Sequence, residues 1–215
     1  MEKIILTCLL CLCGQLSAFA EDTVSLDNPT EAWRRVLDRL SDDAPLRATF
    51  EEFRSIPSRN RPIRFMGTIR WAPELGLSLA YQEPKPLGVH IFEDAMYISV
   101  PGKSLKVIKG RKRKEAMTLF PRLFAWDTAW LAEHFITQGV FADDGSWHLS
   151  MVPVDDQVAG AVSKIILRGG EVGLHEIVLE LKADKVVQIK MLEQIRPALF
   201  TEEERRSAFP AIYDE

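Results

Sequence analysis

The sequence predicts an α+β chain built on one large antiparallel sheet, and three observations carry that expectation. Residues 64–101 hold four short runs of alternating apolar and polar side chains. Strand-like alternation then returns over the last third of the chain, and apolar residues recur at helical spacing in only two segments. In the first run Phe65, Gly67, Ile69 and Trp71 fall on one face, and in the second Leu75, Leu77, Leu79 and Tyr81 do the same. Ala72-Pro73-Glu74, Glu83-Pro84-Lys85-Pro86 and Glu93-Asp94 separate these runs from GVHIF and MYISV. The order is a meander of antiparallel strands with one apolar face.

The remaining elements follow in chain order. Asn28-Pro29-Thr30 precedes Trp33, Val36, Leu37 and Leu40, spaced as an amphipathic helix whose stripe needs the apolar sheet face to lie on. LRATFEEF, with Leu46, Ala48 and Phe50, opens the sheet. Residues 118–135 read as a second helical segment with Leu123, Trp126, Trp130 and Leu131 approximating one face. These side chains are either core or the lid of an apolar cavity. Gly145-Ser146 leads into WHLSM, Asp155–Ala161 reads as a short helix, and SKIILR as a buried strand. Gly169–Gly173 is expected to be a turn, followed by a hairpin of Ile177, Leu179 and Leu181 against Val187, Ile189 and Met191. Thr201-Glu202-Glu203-Glu204 has the spacing of a capping box at the start of a short, polar C-terminal helix.

Composition narrows the function. At 215 residues, 47% hydrophobic and 27% charged, the chain is long enough for a single domain with a sizeable core. A net charge of -4 argues against a nucleic-acid partner, which demands a basic excess. Lys3, the apolar run Ile4–Leu16 and Ala18-Phe19-Ala20 read as a secretory leader cut after Ala20, too short to span a bilayer. This leaves a single domain over 21–215. Cys8, Cys11 and Cys13 all lie in that leader, so the mature chain has no thiolate for catalysis, disulfides or zinc.

Catalytic chemistry is not legible. His90, His134, His148 and His175 stand in separate segments with no metal-binding spacing, and no cofactor or metal is expected. Gly169-Gly170-Glu171-Val172-Gly173 lies between strands and opens no helix, so it is no phosphate loop. The one charged concentration is KSLKVIKGRKRKE, where Lys106, Lys109, Arg111, Lys112 and Arg113 form either a solvated hairpin or a docking patch for anionic headgroups or an acidic partner.

Taken together, the leader, the Trp-bearing helix, the F-x-x-F strand, G-T-I-R-W at 67–71, the L-x-L-x-Y strand and Pro-x-Pro are similar to the periplasmic outer-membrane lipoprotein carriers, the LolA-like family. F-I-T-Q-G at 135–139 and W-H-L-S-M-V-P at 147–153 resemble its divergent, carrier-related branch. The resemblance implies an incomplete, strongly curved antiparallel half-barrel with helices covering its open concave face. It implies a monomeric, non-enzymatic periplasmic carrier that moves a lipoprotein or lipid from an inner-membrane export complex toward an outer-membrane acceptor. Phe65, Ile69, Trp71, Leu77, Leu79 and Tyr81 would then form the sheet side of the lipid site, and Trp126, Trp130 and Leu131 the lid. Arg70 would match an arginine that ties sheet to lid. The alternative on the same scaffold is a periplasmic sensor or interaction module that binds a protein segment.

Overall fold

The structure is a computed structural model, and it describes residues 22–41, 44–92, 95–108, 119–171, 173–197 and 199–213. Among the described residues twelve strands form one open, curved antiparallel sheet in the order β1-β8-β9-β10-β11-β12-β2-β3-β4-β5-β6-β7. The central meander is as the sequence predicts: β3 (Ile63–Ala72), β4 (Gly76–Glu83), β5 (Leu87–Phe92) and β6 (Ala95–Ser99) pair in succession, with β7 (Lys106–Ile108) at the edge. β2 (Leu46–Ser55) joins this half to the other through β12 (Lys185–Ile195), followed by β11 (Gly173–Leu181), β10 (Lys164–Gly170), β9 (Trp147–Pro153), β8 (Phe135–Phe141) and the short β1 (Asp22–Thr23). Register shifts at Met66/Gly67, Arg168/Gly169 and Met191/Gln194 interrupt the ladders, and irregularities of this kind bend a sheet and increase its twist.

The inner face carries the main core. Ala48, Phe50, Ile69, Leu77, Leu149, Met151, Ile165, Leu167, Ile177 and Leu179 are buried there. Covering them are α1 (Glu31–Leu40), α2 (residues 119–124), α3 (Thr128–His134) and α4 (Asp156–Ala159), through Trp33, Leu37, Leu123, Leu131 and Val158. Two glycines let aromatic rings sit close to the sheet. A Cβ at Gly139 would lie 2.3 Å from the Trp33 ring, and one at Gly169 would lie 2.2 Å from the Trp147 ring. Trp33 in turn packs edge-on to Trp147 with ring centroids 6.3 Å apart, so α1 is seated by this pair of dents.

The outer face is mostly polar, with ion pairs such as Arg64–Glu51 and Arg168–Glu176, except for one small second core. There α5 (Glu202–Ala208) and the 3₁₀ turn Pro210–Ile212 press Phe200, Ala208 and Phe209 onto Ala72 and Leu75. The capping box is present: Thr201 Oγ1 accepts the Glu204 N–H at 3.2 Å, and Glu204 accepts the Thr201 N–H at 3.1 Å. This helix is not merely polar, because its end buries Ala208 and leads into the fully buried Phe209.

Four expectations need correction. Leu75 does not share a face with Leu77, Leu79 and Tyr81. Gly76 adopts a left-handed φ of 80° at the strand start and throws Leu75 to the outer side, against Phe209. From residue 119 on, the segment expected as one helix is two helices with a break at Trp126. Phe135 begins β8 instead of closing a helix, and Gly169 and Gly170 belong to β10.

Candidate functional site

The curvature of the sheet leaves an apolar space between its inner face and the helices. Leu46 at the start of β2 and Trp71 near the end of β3 are register partners, so both sit at one end of the strands. Ile177 on β11 and Met191 on β12 continue the floor. Leu40 from α1, Leu123 and Phe124 from α2, and Trp126 close the roof. The result is a cavity of about 110 Å³. Its polar groups stand at the rim: Gln194 Nε2 donates to the Leu174 carbonyl at 2.6 Å and Arg196 Nη1 to that of Ala44 at 3.1 Å, while Arg39 donates to Glu171. The lining between them is mostly apolar.

Trp126 reaches this space because the chain breaks there. Its φ of 49° is left-handed, a conformation that costs a bulky residue on the order of 1–2 kcal/mol. Next to it Asp127 caps α3, accepting the Trp130 N–H at 3.0 Å and pairing with Arg122. Burial raises the pKa of this carboxyl, but the Trp130 N–H and Arg122 outweigh it and the net shift is downward. A charged cap therefore fixes where α3 begins, directly after Trp126.

The two tryptophans Trp71 and Trp126 share this cavity, each 5% exposed. Ile69, Leu77 and Leu131 are fully buried in the surrounding core, and Leu79 packs against it half-buried. Trp130 is elsewhere: it stacks on His134 at 4.2 Å between ring centroids and meets Phe135 edge-on. The break at Trp126 changes the helical phase, which is why the single stripe expected from Leu123 to Leu131 does not form. Phe65 and Tyr81 border a separate groove of about 340 Å³ at the opposite end of the same strands. Arg70 points outward, because alternation puts it opposite Trp71. It lies 3.9 Å from Glu204 of α5, so it meets the C-terminal helix and not the lid. Lys106 is exposed on β7, while Lys109, Arg111, Lys112 and Arg113 lie outside the described residues. Sequence reasoning missed Leu46, Phe124, Ile177 and Met191 as cavity residues. The inward alternation of the three strand residues Leu46, Ile177 and Met191 was legible, but their convergence with Phe124 of α2 at one end of the sheet depends on strand order.

Among the described residues no group of three His, Asp or Glu side chains could hold a metal, and no helix is long and apolar enough to cross a membrane. An open antiparallel sheet roofed by helices thus encloses a concave, mostly apolar space. The chain belongs to the family described as outer membrane lipoprotein carrier protein LolA-like, which matches residues 27–187. Members of this family are binding and carrier proteins, not enzymes. No curated protein matches the chain. Among solved structures, an outer membrane lipoprotein-sorting protein domain from Vibrio parahaemolyticus is 11% identical over 82% of this chain and 95% of its own, with a TM-score of 0.45. A LolA superfamily protein from Nitrosomonas europaea is also 11% identical, over 80% of this chain and 96% of its own, at a TM-score of 0.45. The MucA/MucB complex of Pseudomonas aeruginosa contains a chain 13% identical over 82% of this chain and 60% of that one, at a TM-score of 0.45.

Proposed function

We infer that the protein is a periplasmic carrier that holds the acyl part of a lipoprotein or lipid under its helices and passes it toward the outer membrane. The observation that carries this reading is the apolar space between Trp71 on the sheet and Trp126 on the lid, in a chain of the lipoprotein-carrier family. At about 110 Å³ the space is well below the roughly 300 Å³ at which ligand pockets begin. A space of this size does not take an acyl chain as it stands, so on this reading loading requires the roof over it to lift. That requirement suits a carrier. Each buried methylene contributes about 0.8 kcal/mol, so a sixteen-carbon chain offers about 12 kcal/mol gross. Opening the lid offsets part of it, which leaves net affinity low enough for release to an acceptor.

Export through the leader over residues 1–20, and transient docking through the basic stretch 103–114, belong to the same proposal. So do Ile69, Leu77, Leu79 and Leu131 as residues exposed to cargo once the lid lifts. The test is native mass spectrometry of the exported protein followed by organic extraction. A stoichiometric acylated species supports the carrier. A clean unloaded mass, with no change in tryptophan fluorescence on adding a lipopeptide, replaces it with a module that binds a protein segment.

A further inference from the structure

The inner face of the sheet has a second opening, and its chemistry differs from that of the lid cavity. Alternation places Arg54, Glu52 and Phe50 on the inner side of β2. Tyr81 and Phe65 stand beside them on β4 and β3. Phe50 and Ile69, both buried, fill the face between this groove and the cavity at Trp71. The two spaces are separate.

Within the groove one cation is held in place. Glu52 is only 2% exposed, accepts the Tyr81 hydroxyl at 2.8 Å and pairs with Arg54 Nε. Arg54 Nη2 donates to the Tyr81 oxygen at 3.2 Å, and the guanidinium lies 4.2 Å from the Phe65 ring centroid. Among the described residues Arg54 Nη1 makes no hydrogen bond, and the side chain is 40% exposed. The network therefore fixes a planar set of donors and leaves part of it facing the groove. Leu87 and Val100 form apolar walls, and Lys85, between Pro84 and Pro86, places a second cation on the rim.

We propose that this groove binds a single acyl chain bearing a carboxylate head. Two cations against one buried carboxylate leave one positive charge, which matches a monoanion. The free guanidinium edge matches the planar geometry of a carboxylate. The apolar walls take the start of the chain, and about 340 Å³ suits one chain with a small head better than a glycerophospholipid. The site goes beyond the carrier reading: it needs no lid movement, and it selects by charge where the lid cavity does not.

The experiment is a titration of laurate into methyl-labelled protein, read at Leu87 and Val100 for the groove and at Leu174 and Ile177 for the cavity. Laurate is expected to shift Leu87 and Val100, and dodecyltrimethylammonium, with the same chain and the opposite charge, to leave them unmoved. Lys85→Glu, an exposed change outside the buried network, is expected to weaken laurate about tenfold. The paired substitution Glu52→Gln with Arg54→Gln, which removes both charges of the ion pair together, should weaken it further; if that variant does not fold, Lys85→Glu decides. Equal shifts with both amphiphiles overturn the proposal. So does a response to lysophosphatidylglycerol or to an acidic peptide but not to laurate. Shifts confined to Leu174 and Ile177 also overturn it, while leaving the carrier reading intact.

Discussion

The two faces of the sheet solve the same packing problem differently. On the outer face a short C-terminal segment covers one patch, and Phe209, Ala72 and Leu75 fill it with 0–2% exposure. On the inner face the helices cover a far larger apolar area and leave space beside Trp71 and Trp126. Close packing is thus available to this chain where it clamps the sheet. The looser packing under α1 and α2 is local, and it coincides with a tryptophan in a left-handed conformation at the roof. The outer core is filled, while the inner one keeps a cavity beside Trp71 and Trp126.

The largest expected effect tests the filled side. Phe209→Ala removes a ring with 0% exposure from between His90 and Phe200 and should cost about 4 kcal/mol in urea unfolding, with acyl binding in the folded protein unchanged. Trp126→Ala should cost less, about 2 kcal/mol, because its ring borders space that is already empty and loses fewer contacts. It should also change the affinity for a lipopeptide, measured by quenching of the remaining tryptophans. If Trp126→Ala destabilises as much as Phe209→Ala and leaves binding untouched, the contrast between the two faces fails.

The same contrast explains what could be read from the sequence. The meander from Ile63 to Ser99 was legible because period-two patterning and turn residues agree there, and α5 because its capping box is a local hydrogen-bond pattern. The helix break at Trp126 was hidden. Nothing between Pro121 and Trp130 forbids a continuous helix, and the stop is set by Asp127 capping α3 from within the apparent stripe. Leu75 was misassigned because a single left-handed glycine inverted the alternation. Arg70 was placed at the lid by likeness, whereas alternation from Trp71 already required the outer face. The groove at Arg54 joins residues from four strands and the turn at Lys85, and its register is set by backbone pairing that a linear pattern does not contain.

A pH titration separates the faces without changing their volume. His90 is 2% exposed under Phe209, with Phe92 and Tyr97 beside it, and its Nε2 lies 2.8 Å from the Leu75 carbonyl. Burial lowers its pKa from the usual 6.5, against the smaller upward pull of that hydrogen bond. A depressed histidine binds protons more readily when unfolded. The stability attached to neutral His90 is therefore complete above about pH 6.5 and is lost as the pH falls below it. Unfolding free energy should drop on acidification, and His90→Gln, which keeps a donor for Leu75, should reduce that slope. A slope unchanged in His90→Gln would remove the outer core as its source.

The smallest expected effect concerns how the outer clamp is attached. Glu204 takes part in the capping box and faces both Arg47 and Arg70, and its pKa is lowered first by the Thr201 N–H and then, against burial, by Arg47. Arg70 is lowered instead, by burial above all, with Glu204 opposing and Arg47 adding to the shift. One carboxylate thus serves a helix N-terminus and two arginines of the sheet, where the positive end of the helix favours it. Thr201→Ala removes one half of the box and should cost about 1 kcal/mol. Glu204 keeps its arginines in that variant, so α5 should remain docked and Phe209 protected in amide hydrogen exchange. Loss of protection at Phe209 with so small a change in stability would mean that the cap, and not the buried ring, holds the clamp to the sheet.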